Sequence, residues 1–291
     1  MTVNTVATTA FHVADAAARR SGVNVRILDG LADVRGMVAL FDEVWQPDSG
    51  SPLMTVEHAR AMSHSGNYLA GAFIDDQPVG ACIGFFAAPP GVGLHSHIAG
   101  VTGAARGRSV GFALKLHQRA WALERGLTEI TWTYDPLVRR NAFFNLVKLG
   151  ARPREYLVDF YGDIDDAING GQGSDRLLVA WQLAHPAVID SCAGDRREAD
   201  VAELVAAGAV VALDVADTGG PRVTPGAAWG RADTVLVRVP PDIEALRGAD
   251  PGRAREWRSA VRDVLGGLLE KGAAVTGFAR SGYYVVEGIS S

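Results

Sequence analysis

At 291 residues, with 48% hydrophobic and 21% charged side chains, the chain is long enough to bury a large core and to form two subdomains. A formal net charge of −5 gives no basic footprint for nucleic acid and argues against an acidic polymer as acceptor. Cys82 and Cys192 have neither disulfide nor metal-ligand spacing and read as buried filler, no run reaches membrane-spanning length, and Arg19-Arg20 follow the Ala-rich start instead of preceding it, opposite to a secretory signal. A cytoplasmic, metal-free protein with no membrane partner is expected.

Residues 1–23 read as an N-terminal extension. Asn24–Leu28 is a short alternating strand, and Leu31–Trp45 carries Val34, Met37, Val38, Phe41, Val44 and Trp45 at helical spacing. After the turn-rich Gln46–Pro52, a short helix is expected over Thr55–Ser63, with Thr55 or Ser51 as its cap. Tyr68–Ile74 and Val79–Ala87 read as a hairpin around Asp75-Asp76-Gln77-Pro78. Leu94–Val101 is a mostly apolar strand, and Gly100, Gly103 and Gly107 punctuate the link to an amphipathic helix over 109–125 that Gly126 stops. Glu129–Tyr134 is a β-branched and aromatic strand ending at Asp135-Pro136. Val138–Leu149 reads as a helix closed by Gly150, and Arg152–Phe160 as a returning strand.

The strand-to-helix link is where phosphate chemistry is expected. N–H groups at a helix start have no intrahelical partner, and the helix dipole adds partial positive charge. Gly107 and Gly111 permit close approach of a ligand, while Arg106 and Arg108 bring fixed charge. The segment Arg108-Ser109-Val110-Gly111-Phe112-Ala113 resembles the acyl-CoA pyrophosphate loop of the GNAT superfamily of N-acyltransferases, Gln/Arg-x-x-Gly-x-Gly/Ala. Asn141 to Ala151 is similar to that superfamily's fourth helix with its Leu-Gly-Phe ending, and the order β-α-α-β-β-β-α-β-α-β over residues 24–160 is the superfamily's order. Neither a Walker lysine pattern nor a Rossmann Gly-x-Gly-x-x-Gly points to another phosphate-binding fold.

The resemblance implies an α+β fold, a mixed sheet flanked by helices, with the acyl-CoA-binding catalytic domain at 24–165. CoA would enter the wedge between two splayed strands, contacting Ala99, Val101, the 106–113 loop, Asn141 and Asn145. The co-substrate would be acetyl-CoA or another acyl-CoA, the acceptor a small primary amine, and the protein a monomer or homodimer. An acidic acyl group such as succinyl would suit Arg139, Arg140 or Arg176. A catalytically silent acyl-CoA-binding module is the alternative, because Leu146 stands where many members carry a Tyr acid.

Residues 175–291 read as a second unit. Asp175–Leu183 is a strand; Val235–Val239, a helix over Ala254–Lys271, and a hairpin of Ala274–Phe278 with Tyr283–Val286 follow the closing half of the same order without a Gly-rich phosphate loop. This unit resembles a degenerate half-repeat. His95-Ser96-His97, Trp132-Thr133-Tyr134-Asp135-Pro136 and Ser174-Asp175-Arg176 with Trp181 resemble a subgroup of the superfamily.

For the chemistry, positioning amine and thioester together supplies most of the acceleration. His95 and His97 stand two apart on one strand and so share a face, and an imidazole near its ordinary pKa of about 6.5 suits proton transfer at neutral pH. One of them is the expected base, with Asp135 as competitor. Tyr134, Tyr156 or Tyr161 are candidate proton donors to the leaving thiolate.

Overall fold

The computed structural model describes residues 3–47, 52–89, 91–162, 173–196, 198–229 and 232–288. Ser51, most of the 46–52 turn and Asn169–Gln172 lie outside them. The chain divides into two compact units, residues 1–132 with 182–189 and residues 133–181 with 190–291.

The first unit begins with α1 (Val3–Ser21), followed by β1 (Asn24–Ile27), α2 (Leu31–Trp45) and α3 (Val56–His64). Thr55 caps α3, its hydroxyl accepting from His58 N. Then come β2 (Tyr68–Ile74), β3 (Gln77–Phe86), β4 (Gly93–Val101), α4 (Val110–Glu124) and β5 (Glu129–Tyr134), inside which the division falls. The sheet runs β1-β2-β3-β4-β5, antiparallel except for the parallel β4–β5 pair. The β2–β3 turn is tighter than its composition suggests: Asp75 and Asp76, both at positive φ, are its two central residues, and Ile74 already pairs with Gln77. Pro78 belongs to β3, beside a register shift where its missing N–H is tolerated.

Alternation along β3 sorts the layers. Ala81 and Ile83 join Phe41, Met37 and Leu69 in the core under α2 and α3. Gly80 faces Val110 and Leu114 of α4, and Cys82 meets Gln118 of the same helix. α1 packs along α4 and leaves that helix buried on nearly every side.

The second unit holds α5 (Arg139–Phe143), which passes into a π-helical turn at Phe144–Lys148 where the pattern predicts plain α-helix. β6 (Arg152–Leu157) pairs antiparallel with β7 (Arg176–Gln182). α6 (Pro186–Ala193) crosses the division; α7 (Val201–Ala206), β8 (Val210–Val215), β9 (Pro221–Val223) and α8 (Gly226–Trp229) follow, none of them announced by the sequence pattern. β10 (Thr234–Arg238), α9 (Ile243–Ala249), α10 (Pro251–Val261), a π turn at Arg262–Gly266, α11 (Gly267–Glu270), β11 (Ala274–Ala279) and β12 (Tyr283–Glu287) complete it. α10 starts three residues before the expected Ala254, because Pro251 opens the helix behind the capping Asp250. The five-stranded sheet is ordered β11-β12-β10-β8-β9, with β8 and β10 parallel. Trp257, Val261, Val264, Leu265 and Leu268 form the buried stripe of the α10–α11 run.

Candidate active site

The β4–β5 ladder is short: Gly93, Leu94 and His95 pair with Glu129, Ile130 and Thr131, and there it ends. β4 continues to Val101 along β3 alone, so the backbone around Ala99 and Val101 has no β5 partner among the described residues. A bulge at His97 bends the strand at this point, since Ser96 and Ile98 oppose the consecutive Gly84 and Ile83. The parallel strands therefore open a wedge at their C-terminal ends.

The wedge leads to the helix start. Gly107 and Ser109 both take left-handed φ, 81° and 63°, and α4 begins at Val110 with no side-chain cap. Ser109 O accepts from both Phe112 N and Ala113 N. Among the described residues, the N–H groups of Gly107, Ser109, Val110 and Gly111 make no hydrogen bond. Such a run of donors at the positive end of a 15-residue helix has the geometry that favours an anion. A Cβ on Gly111 would touch only Val101, at 3.8 Å, so packing alone does not demand glycine there. The Arg108 guanidinium lies over Gly22, just beyond the C-terminal end of α1, and Arg106 is exposed.

His95 and His97 do share a face, with ring centroids 6.3 Å apart and both against Phe85. Their proton affinity differs from the expectation. Burial, then His97 and Lys115, push His95 down to about 4, and partial burial also lowers His97. Both imidazoles are neutral at pH 7. His95 Nδ1 lies 3.1 Å from Thr131 Oγ1, which fixes its ring; His97 is the more exposed.

Lys115 escaped the sequence pattern. It lies on the opposite side of β4, buried on α4, where its ammonium donates to Ser96 Oγ at 2.7 Å and Gln118 Oε1 at 3.3 Å and sits 3.9 Å from the centroid of Trp132. Burial lowers its pKa to about 8.

The remaining candidates belong to the second unit. Tyr284 donates to Pro136 O at 2.8 Å, leaving its oxygen to accept from the buried Tyr134 hydroxyl at 3.2 Å, and burial raises the Tyr134 pKa. Tyr134 is thus a phenol locked into a structural pair. Asp135, read from sequence as a competing base, is bound at Oδ2 by Arg247 and Arg258 and at Oδ1 by Leu137 N. Burial pushes its pKa up, but the two arginines outweigh this and hold it below the ordinary carboxylate range, so it is a poor proton acceptor. Asn145 and Leu146 are buried in the π turn. Asn141 lines a cleft of about 550 Å³ with Arg139, Phe143, Phe144, Lys148 and Arg280. Tyr156 donates to Asp175, and Tyr161 OH lies 3.1 Å from Thr133 Oγ1. Among the described residues, no group of three or more His, Cys, Asp or Glu is placed to hold a metal, and no helix is long and apolar enough to cross a membrane.

The first unit thus joins a splayed parallel strand pair to an uncapped helix start. Residues 13–136, less than half of the chain, match the family model described as an acetyltransferase (GNAT) domain, a span that takes in the wedge, both histidines and the start of α4. Over that span the chain is similar to GNAT acetyltransferase domains. No curated protein matches the sequence. Among solved structures, Ard1 from Thermoplasma volcanium is 14% identical, covering 55% of this chain and 96% of that one at a TM-score of 0.42. An N-acetyltransferase from Staphylococcus aureus Mu50 is 13% identical, covering 55% and 98% at 0.46. The ribosomal-protein-S18-alanine N-acetyltransferase from Escherichia coli is 11% identical, covering 56% and 95% at 0.45.

Proposed function

We propose that this protein is an acyl-CoA-dependent N-acyltransferase acting on the primary amine of a small-molecule or amino-acid-like acceptor, with acetyl as the default acyl group and succinyl or a longer acyl group as the variants. The observation that carries the reading is the set of four unpartnered N–H groups at Gly107, Ser109, Val110 and Gly111, at the end of a strand that has parted from its neighbour. They fit a pyrophosphate, with Arg108 as the charged partner. The β4 backbone at Ala99 and Val101, paired with β3 but with no β5 partner among the described residues, offers hydrogen bonds to the amide groups of pantetheine.

His97 is the base we favour, directly or through a water, because it is neutral, exposed and untied, whereas Thr131 holds His95. Proximity in the wedge supplies the larger part of the acceleration. The leaving thiolate is protonated by solvent, since Leu146 has no proton to give and Tyr134 is committed to Tyr284.

Calorimetric titration with acetyl-CoA tests the binding half: Arg108→Ala should cost about 1.5–3 kcal/mol, one charge-assisted hydrogen bond. Unchanged affinity in this variant would remove Arg108 from the site. Turnover of an amine panel tests the chemistry, and His97→Ala should lower kcat while leaving CoA affinity intact. The silent-module reading, favoured by Leu146, stands if CoA binds and no amine is acylated.

A further inference from the structure

We propose that the cleft beside α5 binds a small organic anion that carries at least two negative charges on a flat apolar body. The site does not rest on the acyl-transfer reading, and every residue that lines it belongs to the second unit. Its volume of about 550 Å³ lies in the range of small-molecule sites. Four cations line it, Arg139, Arg140, Lys148 and Arg280, in a chain whose formal net charge is −5. A concave surface lined by one sign of charge focuses the field and concentrates ions of the other sign.

Two of the four cations are already matched. Arg140 makes a two-pronged ion pair with Glu244, its Nη2 donating to Oε1 at 2.7 Å, and Arg280 donates to Glu198 at 3.2 Å. Arg139 and Lys148 are half-buried, and neither side chain makes a hydrogen bond or an ion pair among the described residues. Burial lowers the pKa of both; Arg238 and Arg280 lower that of Arg139 further, Arg196 and Arg280 that of Lys148, and no carboxylate offsets them. Two positive charges are thus partly withdrawn from water without a counter-ion, a cost that an arriving anion relieves. Arg139 is also held in place: Gly282 stands at φ 101°, and a Cβ there would lie 3.4 Å from Arg139 Cδ and Nε, so the turn between β11 and β12 gives the side chain its room.

The rest of the lining decides what kind of anion fits. Phe143, Phe144 and Pro241 supply an apolar wall, and the Arg280 guanidinium lies 4.3 Å from the Phe143 ring centroid. An inorganic ion would leave that wall wet, whereas a planar organic body covers it. The Asn141 amide, without a side-chain partner among the described residues, adds a donor and an acceptor to the same cleft. A single carboxylate neutralises one of the two unmatched cations; a dianion neutralises both. Its charges sit either on one group, as in an aryl phosphate, or on two, as in an aromatic dicarboxylate.

The test is calorimetric titration of the full chain at about pH 7.5, above the second phosphate pKa of about 6, with phenyl phosphate and terephthalate against benzoate and inorganic phosphate. At least one of the two aromatic dianions should bind saturably, and at least about tenfold more tightly than benzoate or inorganic phosphate. Tighter phenyl phosphate places both charges on one group; tighter terephthalate places them on two. Arg139→Gln and Lys148→Gln should each weaken that binding about tenfold or more, the loss of one charge-assisted hydrogen bond. Both side chains are partly exposed, so thermal unfolding of the variants should match the parent and separate lost binding from a lost fold. A crystal of the parent with the tighter dianion gives a reading that needs no variant, an anionic group within hydrogen-bond distance of Arg139 or Lys148. The proposal is overturned if neither dianion binds saturably, if benzoate or inorganic phosphate binds as well, or if both Gln variants bind like the parent. A loss of acetyl-CoA affinity in Lys148→Gln equal to its loss of dianion affinity would make the cleft part of the CoA site and overturn it too. A parent that binds the dianion and no acetyl-CoA would refute the acyl-transfer reading alone.

Discussion

Lys115 sits between Leu114 and Leu116 on α4, and its ammonium meets Ser96, Gln118 and the Trp132 ring without any carboxylate. Its pKa of about 8 lies below the unfolded value of 10.5. Between these values the unfolded chain carries a proton that the folded chain lacks, so stability rises with pH across the window, and below pH 8 the full cost of burying the charge is in place. Lys115→Met should therefore gain about 1–3 kcal/mol at pH 7, the range seen when buried charge is replaced by apolar side chains. Urea unfolding at pH 7 and pH 10 checks it; a variant weaker than the parent at pH 7 would mean that the bonds to Ser96 and Gln118 outweigh desolvation. The sign is the same for His95, whose folded value near 4 lies below 6.5: stability is full above 6.5 and lost as pH falls towards 4. An NMR titration should place its midpoint near 4, and a midpoint near 6.5 would return it to the ordinary imidazole assumed from the sequence.

The cradle at the start of α4 separates two uses of glycine. Gly107 needs its left-handed φ of 81°, although nothing stands within 4 Å of a Cβ there. Gly111 needs neither backbone freedom nor space, so helix propensity alone favours alanine by about 1 kcal/mol. Gly111→Ala should raise stability by roughly that amount and weaken acetyl-CoA binding at least about tenfold, or 1.4 kcal/mol, by placing a methyl where the phosphates approach. A variant that is more stable and binds equally well would move the phosphates elsewhere. This element was legible in sequence because glycine spacing and an arginine mark a strand-to-helix turn, as were α2 and β5 through their apolar periodicity. α1 was not: its buried positions are Ala7, Ala10, Ala14 and Ala17, a stripe of correct spacing with too little hydrophobic contrast to stand out. β8 was hidden by Ala212 and Asp214, which interrupt its apolar run. The Asp135 clamp joins residues 112 and 123 positions apart, a pairing that no local pattern encodes.

Across the whole molecule, the first unit takes back residues 182–189 after the chain has left it. Arg119, buried on α4, donates to Leu183 O at 2.9 and 2.6 Å through Nε and Nη2. A fragment ending at Ser174 would leave those donors buried without their acceptor, a loss of about 1.5–3 kcal/mol for a bond to a charged group. It should show broad, non-cooperative thermal unfolding, while the full chain unfolds sharply; a sharp transition in the fragment would show that the returning segment is dispensable.

Three helix starts of the second unit, α7, α9 and α10, bear on how many CoA molecules one chain holds. Asp200 accepts from Ala202 N and Glu203 N at the start of α7, Asp242 from Ala245 N at α9, and Asp250 from Arg253 N at α10. Each aspartate occupies the donors and brings negative charge to the end of the helix dipole that would otherwise attract phosphate. α4 is built in the opposite sense, with Ser109 turned into the left-handed region and the donors left open. The full chain should therefore titrate with one acetyl-CoA per polypeptide, and Gly111→Trp should reduce that stoichiometry to zero. A stoichiometry of two would require a phosphate site away from these capped helix starts, and retention of one CoA by Gly111→Trp would place the nucleotide outside the α4 cradle.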